Sequence, residues 1–272
     1  MNKEIPYGSA TSASERTTVF VPEGWSSRRL TKWFSELEKQ GHSTFVLSAA
    51  AVRPILDFDE VFSAKLADMF AGVAGNEQIP SVLFSRMCSV QTAAARLLFA
   101  GQVYEAQALM RSALECGVYG CAIYTDADLR HAWVHRGDSR TARDRCRTAF
   151  AWAGLLRIVE QSSRGLRRLI SPAYDKLIDL GAHPNALGIG AGVRLNTTGN
   201  GQRMIQTIFS GTHPEHMAAA AHQLVGVLHI GFELIRQTMP VRVEKAGVTA
   251  GVEEVMQSVG IQLLAAPVVN SR

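Results

Sequence analysis

The chain has 272 residues, 47% hydrophobic and 19% charged, and carries a net charge of +4. This length can bury a sizeable core in one large domain or two small ones, and the composition excludes an intrinsically disordered chain. Four cysteines without a C-x-x-C pair, and without a histidine at zinc-finger spacing, read as small buried hydrophobes in a reducing compartment.

The N-terminal stretch MNKEIPYGSATSASERTT lacks an apolar signal-peptide core. No run of about twenty residues is apolar without interruption. Met217 to Ile235 comes nearest and carries His222, Gln223, His229 and Glu233, so no membrane partner and a cytoplasmic location are expected. Charge is unevenly spread. Residues 130–168 hold ten arginines against Asp138, Asp144 and Glu160, an excess of +7, which leaves −3 for the rest of the chain.

In chain order, residues 1–24 read as an N-terminal tail, flexible over 1–17, with Thr18 to Val21 as one short strand. Ser26 or Ser27 can cap a first helix that Gly41 ends, and Pro54 stops a short apolar segment from Ser43 to Val52. Asp57 or Asp59 opens the next helix, which closes near Gly72–Gly75. Pro80-Ser81 starts a long helix through Ala100, with Gly101 as its stop signal. Gln102 to Tyr124 follows at once as the central helix, so the two form an antiparallel hairpin. Its apolar positions Val103, Ala106, Met110, Ala113, Leu114, Gly117 and Cys121 recur at the spacing of a buried helical face. Gln107, Arg111, Glu115 and Tyr119 climb another side at steps of four, making a polar stripe on an apolar rod.

Thr125-Asp126-Ala127-Asp128 caps a short helix running to His135. Asp138 or Ser139 opens a long helix to about Gln161, with Cys146, Phe150, Ala153, Leu156 and Val159 inward. Ser163 to Leu180 continues as a helix interrupted at Pro172. The glycine-rich stretch from Gly181 predicts a small β-hairpin or ordered loop near 190–210, with Thr198-Gly199-Asn200-Gly201 as its turn. Thr212 caps a last long helix ending at Pro240. Residues 241–272 form a C-terminal extension with one short helix, Thr249 to Gly260, and an apolar end that docks on the body or on another copy. The predicted fold is all-α: a helical bundle with long antiparallel helices, its domain spanning 25–240.

Four groups of residues invite chemistry. Arg111 and Glu115 form a guanidinium–carboxylate pair on the central helix, able to hold a polar ligand or to tie neighbouring helices together. Arg140, Arg143 and Arg147 make a ladder that could follow a phosphate backbone, although the few aromatics nearby do not suggest a base-stacking platform. His213, His216, His222 and His229 cluster with Glu215 and Glu233, but no H-E-x-x-H or E-x-x-H motif accompanies them, and no metal is expected. No Walker, helix-turn-helix or dinucleotide motif is present, since GIGAG at 188–192 does not open a helix after a strand; no cofactor is expected.

The fourth group is Arg130-His131-Ala132-Trp133-Val134-His135, which resembles the motif of the HEPN-like helical nuclease superfamily: an arginine, a polar residue, and a histidine four to six residues after the first. The resemblance implies metal-independent RNA cleavage. His135 would help the 2′-hydroxyl attack its neighbouring phosphate, and Arg130 would steady the charge on phosphorus. Five helical steps turn the chain by about 140°, which puts the two on different faces of a regular helix, so the implied arrangement uses a homodimer. A broader likeness runs over residues 100–190. R-x-x-x-E at Arg111–Glu115, then Tyr174-Asp175-Lys176-Leu177 and Gly181-Ala182-His183-Pro184-Asn185, look like uncharacterised bacterial helical proteins near that set. That likeness implies an all-α body in which Arg111, Glu115 and His183 meet in one polar pocket. Two functions stay open at this point: RNA binding or cleavage in the HEPN-like manner, or a non-enzymatic helical interaction protein with a structural Arg–Glu–His network.

Overall fold

The computed structural model describes residues 28–182, 193–197, 203–207 and 214–265. Thr18–Val21, His183, GIGAG, the 198–201 turn and His213 lie outside the described residues. The fold is all-α. Its helices are α1 (Arg28–Phe62), a single turn α2 (Leu66–Met69), α3 (Gln78–Phe99), α4 (Val103–Thr125), α5 (Ala127–Val134), α6 (Arg140–Ala149), α7 (Trp152–Ser162), α8 (Arg164–Leu177), α9 (Pro214–Thr238), α10 (Pro240–Ala246) and α11 (Thr249–Ser258). Two short segments, β1 (Val193–Thr197) and β2 (Arg203–Thr207), pair antiparallel, with Leu195 opposite Ile205.

α4 is the element on which the others converge. It packs along α3, α9, α7 and α8, and Ala106, Met110, Ala113, Leu114, Val118 and Cys121 are fully buried. The α3–α4 connection is three residues long because Gly101 takes a left-handed φ of 78°. The Gly101 N–H then reaches Leu98 O and the Gln102 N–H reaches Leu97 O, both at 2.9 Å, closing the carbonyls that α3 would otherwise leave open. α9 is long and apolar enough to cross a membrane by composition, yet most of it is covered by its neighbours, with Leu224, Phe232 and Leu234 in the core.

The first helix corrects the expectation drawn from Gly41 and Pro54. Neither ends it; α1 continues to Phe62, and its one break falls at Ser48 (φ −126°, ψ 19°). Val52, Ile55, Phe58 and Phe62 recur at helical spacing and are all buried. Burying four such side chains gains about 1.5–3 kcal/mol each, more than the roughly 3 kcal/mol a helical proline costs. At Pro54, packing therefore overrides the local signal.

The expected helix from Asp138 to Gln161 is divided instead. Ser139 Oγ caps α6 by accepting from the Ala142 N–H at 3.0 Å, and Ala151 is extended between α6 and α7 (φ −61°, ψ 128°). An unbroken helix would bury Ala153. The break resets the phase, so Leu155, Leu156 and Val159 face inward and Ala153 is exposed. Asp126 caps α5 as expected, its Oδ1 accepting from the N–H groups of Asp128 (2.8 Å) and Leu129 (3.1 Å). Pro172 leaves α8 unbroken; the helix passes into a wider turn over Ile178–Ala182. After α9 the chain forms two short helices where one was expected, because Pro240 ends α9 and starts α10 at its first position.

Candidate functional site

Arg111 and Glu115 stand one turn apart on α4, with the Arg111 Nε–H donating to Glu115 Oε1 at 2.9 Å. Neither is sealed: their side chains are 24% and 33% exposed. The third member is Tyr174 of α8. Its hydroxyl donates to Glu115 Oε1 at 2.8 Å and lies 3.2 Å from Arg111 Nε. Trp152, the first residue of α7, stacks on the Tyr174 ring with centroids 3.9 Å apart and planes 22° from parallel. The polar stripe of the central helix thus ties α4 to α8, with an aromatic platform from α7 on top.

Electrostatics fix the roles of these groups. Burial, and then the Glu115 carboxylate that its proton serves, push the Tyr174 phenol up to about 12. Tyr174 is therefore a hydrogen-bond donor at neutral pH and not a base. Burial works against the Arg111 charge, but the Tyr174 hydroxyl and the Glu115 carboxylate outweigh it and hold the guanidinium above its usual value. Gln107, the next stripe residue down, is buried, and its Oε1 has no hydrogen-bond partner among the described residues. The turn at Ile178–Ala182 packs against α4 at this level, where a Cβ on Gly181 would stand 2.9 Å from Tyr104 O. The chain leading to His183 is delivered to the stripe, while His183 itself lies outside the described residues.

Sequence reasoning named Arg111 and Glu115 but gave Tyr174 no role. A signal existed. Tyr174 occupies the buried stripe of α8 with Leu166, Ile170 and Leu177, and an inward tyrosine hydroxyl needs a polar partner.

Arg130 and His135 turn to different partners. Arg130 is half-buried, and its Nη1 donates to Ile123 O at 3.1 Å, closing a carbonyl at the end of α4. His135 is exposed and its Nδ1 lies 2.9 Å from Asp138 Oδ2. Its ring packs on that of His131, with centroids 4.2 Å apart, as the four-residue spacing of the two histidines requires.

The basic segment is a solvent-facing surface. Arg140, Arg143, Arg145 and Arg147 are all exposed on α6. The three acids of the segment are engaged locally: Asp138 with His135, Asp144 with Arg147 at 3.9 Å, and Glu160 with Arg167. Among the described residues no carboxylate lies within ion-pair distance of Arg140 or Arg143.

The histidines of α9 do not converge. His216 and His222 are exposed, whereas His229 is buried, and no group of three metal-ligating side chains occurs among the described residues. His229 belongs to another arrangement. Its Nε2 lies 3.7 Å from Glu233 Oε1, beyond hydrogen-bond length, and has no other partner among the described residues. Glu233 and Arg236 form a buried pair that also holds the main chain of Leu264, through its N–H at 2.8 Å and its carbonyl at 2.6 Å. Burial raises the Glu233 carboxyl, but His229, the Leu264 N–H and Arg236 together outweigh it and hold the group below the ordinary carboxylate range.

Comparison with known protein families, with characterised proteins and with solved structures finds no match to this chain.

Proposed function

We propose that this chain is a cytoplasmic helical protein that binds RNA through phosphate contacts and does not cleave it. The observation that carries the reading is the α6 surface: Arg140 and Arg143 are exposed without a carboxylate within 4 Å among the described residues, one turn from Arg147. A row of guanidinium groups at helical spacing offers bidentate donors to successive phosphates and reads no base edge, so binding would follow charge and not sequence. Against cleavage stands the use of Arg130, whose Nη1 is spent on Ile123 O while His135 answers to Asp138. The Arg111–Glu115–Tyr174 cluster has the composition of a tie between helices, in line with a non-enzymatic body. In finer detail, we propose a bundle built on the antiparallel α3–α4 pair, with β1 and β2 as a hairpin inserted before α9. Four unbridged cysteines fit a reducing compartment.

Fluorescence anisotropy with labelled single-stranded RNA over a salt series tests the reading. Each phosphate contact contributes about −0.7 to the slope of log K against log salt, so R140Q/R143Q/R147Q should flatten the slope by about 2. An unchanged slope and affinity in that variant would sink the proposal. The same RNA incubated in EDTA should stay intact. Cleavage that disappears in Arg130→Ala and His135→Ala would replace binding with HEPN-like catalysis, which the resemblance places in a homodimer.

A further inference from the structure

The second half of α1, together with α3 and α9, encloses a cavity of about 200 Å³ far along the chain from the arginine row. Its floor is mostly apolar: Ile55, Phe58, Phe62, Cys88 and Leu228 are all buried, and the one buried polar side chain in the lining, Gln91, donates from Nε2 to Val227 O at 3.0 Å. Protein interiors are packed densely, and a void that neighbouring side chains could fill is destabilising. An apolar cavity of about 150 Å³ is known to admit benzene, so this one has room for a group of up to about eight heavy atoms, which covers a benzyl or an isobutyl side chain.

The mouth is not apolar. Asp59 of α1 and Arg96 of α3 both line the cavity and both are exposed. They make no ion pair with each other, and no carboxylate among the described residues lies within 4 Å of Arg96. Asp59 Oδ1 accepts from the Ser63 hydroxyl, which fixes the carboxylate at the rim with a second oxygen to spare. One guanidinium and one carboxylate thus stand on facing helices around a single apolar well. The complement of that arrangement is a compact apolar group carrying a carboxylate and an ammonium on one carbon.

We propose that this cavity binds a free α-amino acid with an apolar side chain. Its carboxylate meets Arg96, its ammonium meets Asp59, and its side chain enters the well lined by Ile55, Phe58 and Phe62. Both charges are needed. A ligand with the carboxylate alone brings it beside Asp59 uncompensated, and one with the ammonium alone faces Arg96 in the same way.

Isothermal titration calorimetry of the full chain separates the contributions, using phenylalanine, leucine, phenylacetate, phenethylamine and alanine. Phenylalanine or leucine should bind at one site per chain, alanine should give no heat, and phenylacetate and phenethylamine should each bind at least tenfold more weakly than phenylalanine. R96Q should weaken phenylalanine at least tenfold and not weaken phenethylamine; D59N should weaken phenylalanine and not weaken phenylacetate. Both residues are exposed, so these variants carry the test even where Ala95→Phe, which fills the well, disturbs folding; circular dichroism confirms that each is helical. Equal affinity for the three aromatic ligands would overturn the proposal, as would indifference to both charge substitutions. Absence of heat with phenylalanine and leucine at millimolar concentration would end it outright. None of these outcomes touches the α6 surface, so the RNA reading stands or falls separately.

Discussion

Glu233→Ala should be among the most damaging single substitutions in this chain. Glu233 is fully buried and Arg236 is 6% exposed, and the pair is bidentate, with Arg236 Nη2 at 3.0 and 2.8 Å and Nε at 3.1 Å from the carboxylate. Removing the carboxylate leaves a buried guanidinium with the Leu264 carbonyl as its one remaining partner among the described residues, and strips the Leu264 N–H of its acceptor. Breaking a buried pair from one side costs about 3–5 kcal/mol. Water admitted by release of residues 261–265 would offset part of that, so the lower figure, about 3 kcal/mol, is expected. At roughly 2–4 °C per kcal/mol for a chain of this size, Tm should fall by about 6–12 °C. Thermal melts followed by circular dichroism measure the loss, and amide exchange at Leu264 reports the strap directly. Glu233→Met with Arg236→Met should recover most of the stability, because an apolar pair replaces a desolvated ionic one. The pH dependence has a definite sign. The folded carboxyl lies below its ordinary value, so its contribution is complete above about pH 5 and is lost as pH falls through the depressed folded value. Wild type should therefore lose stability toward acid more steeply than the double methionine variant. A loss under about 1 kcal/mol for Glu233→Ala, with Leu264 still protected, would refute the account.

Tyr174→Phe should cost about 1–2 kcal/mol by removing the hydroxyl from Glu115 and Arg111, measured by urea denaturation; an unchanged midpoint would count against the cluster as a tie. The same substitution should remove an alkaline loss of stability. A phenol raised to about 12 contributes stability that is complete below the unfolded value near 10 and declines as pH rises toward 12. Asp126→Ala should cost about 1 kcal/mol through its two capped N–H groups, and Asp126→Asn should retain most of that, both readable as shifts in Tm. Gly181→Ala would place a Cβ 2.9 Å from the Tyr104 carbonyl, a backbone atom that cannot rotate away, and should cost about 1–3 kcal/mol in the same melt.

Periodicity made the all-α class and the central helix legible. The buried positions of Gln102–Tyr124 recur at three and four residues, and the stop at Gly101 is a local steric fact. Punctuation by glycine and proline was less dependable. At Pro54 the deciding quantity was the burial of Val52, Ile55, Phe58 and Phe62 against helices far along the chain, which no local window contains, while the break expected at Gly41 falls at Ser48. The break at Ala151 has the same origin, since what moves it is the exchange of Ala153 for Leu155 in the core. The candidate site was half legible. The i, i+4 pair at Arg111 and Glu115 follows from helical geometry, whereas Tyr174 reaches Glu115 across 59 residues of sequence.

The arginine-rich segment shows how far a charge count can be pushed. Ten arginines fall between 130 and 168, but their environments divide them. Arg130 closes the Ile123 carbonyl, Arg136 lies over the Trp133 ring at 5.0 Å, Arg147 meets Asp144 and Arg167 meets Glu160. Arg140, Arg143, Arg145, Arg157, Arg164 and Arg168 are exposed with no ion pair among the described residues. If all six and the exposed Arg147 met phosphate on one single strand, the salt slope would approach about −5, and a slope of that order is an upper bound for this segment of one copy. A measured slope well beyond it would require guanidinium groups now engaged within the fold to change partners, or a second copy to share the strand. A slope near −2, abolished by removing Arg140, Arg143 and Arg147 together, would confine the contact to α6. The distribution of these side chains, and not their number, therefore sets what a nucleic acid can gain from this surface.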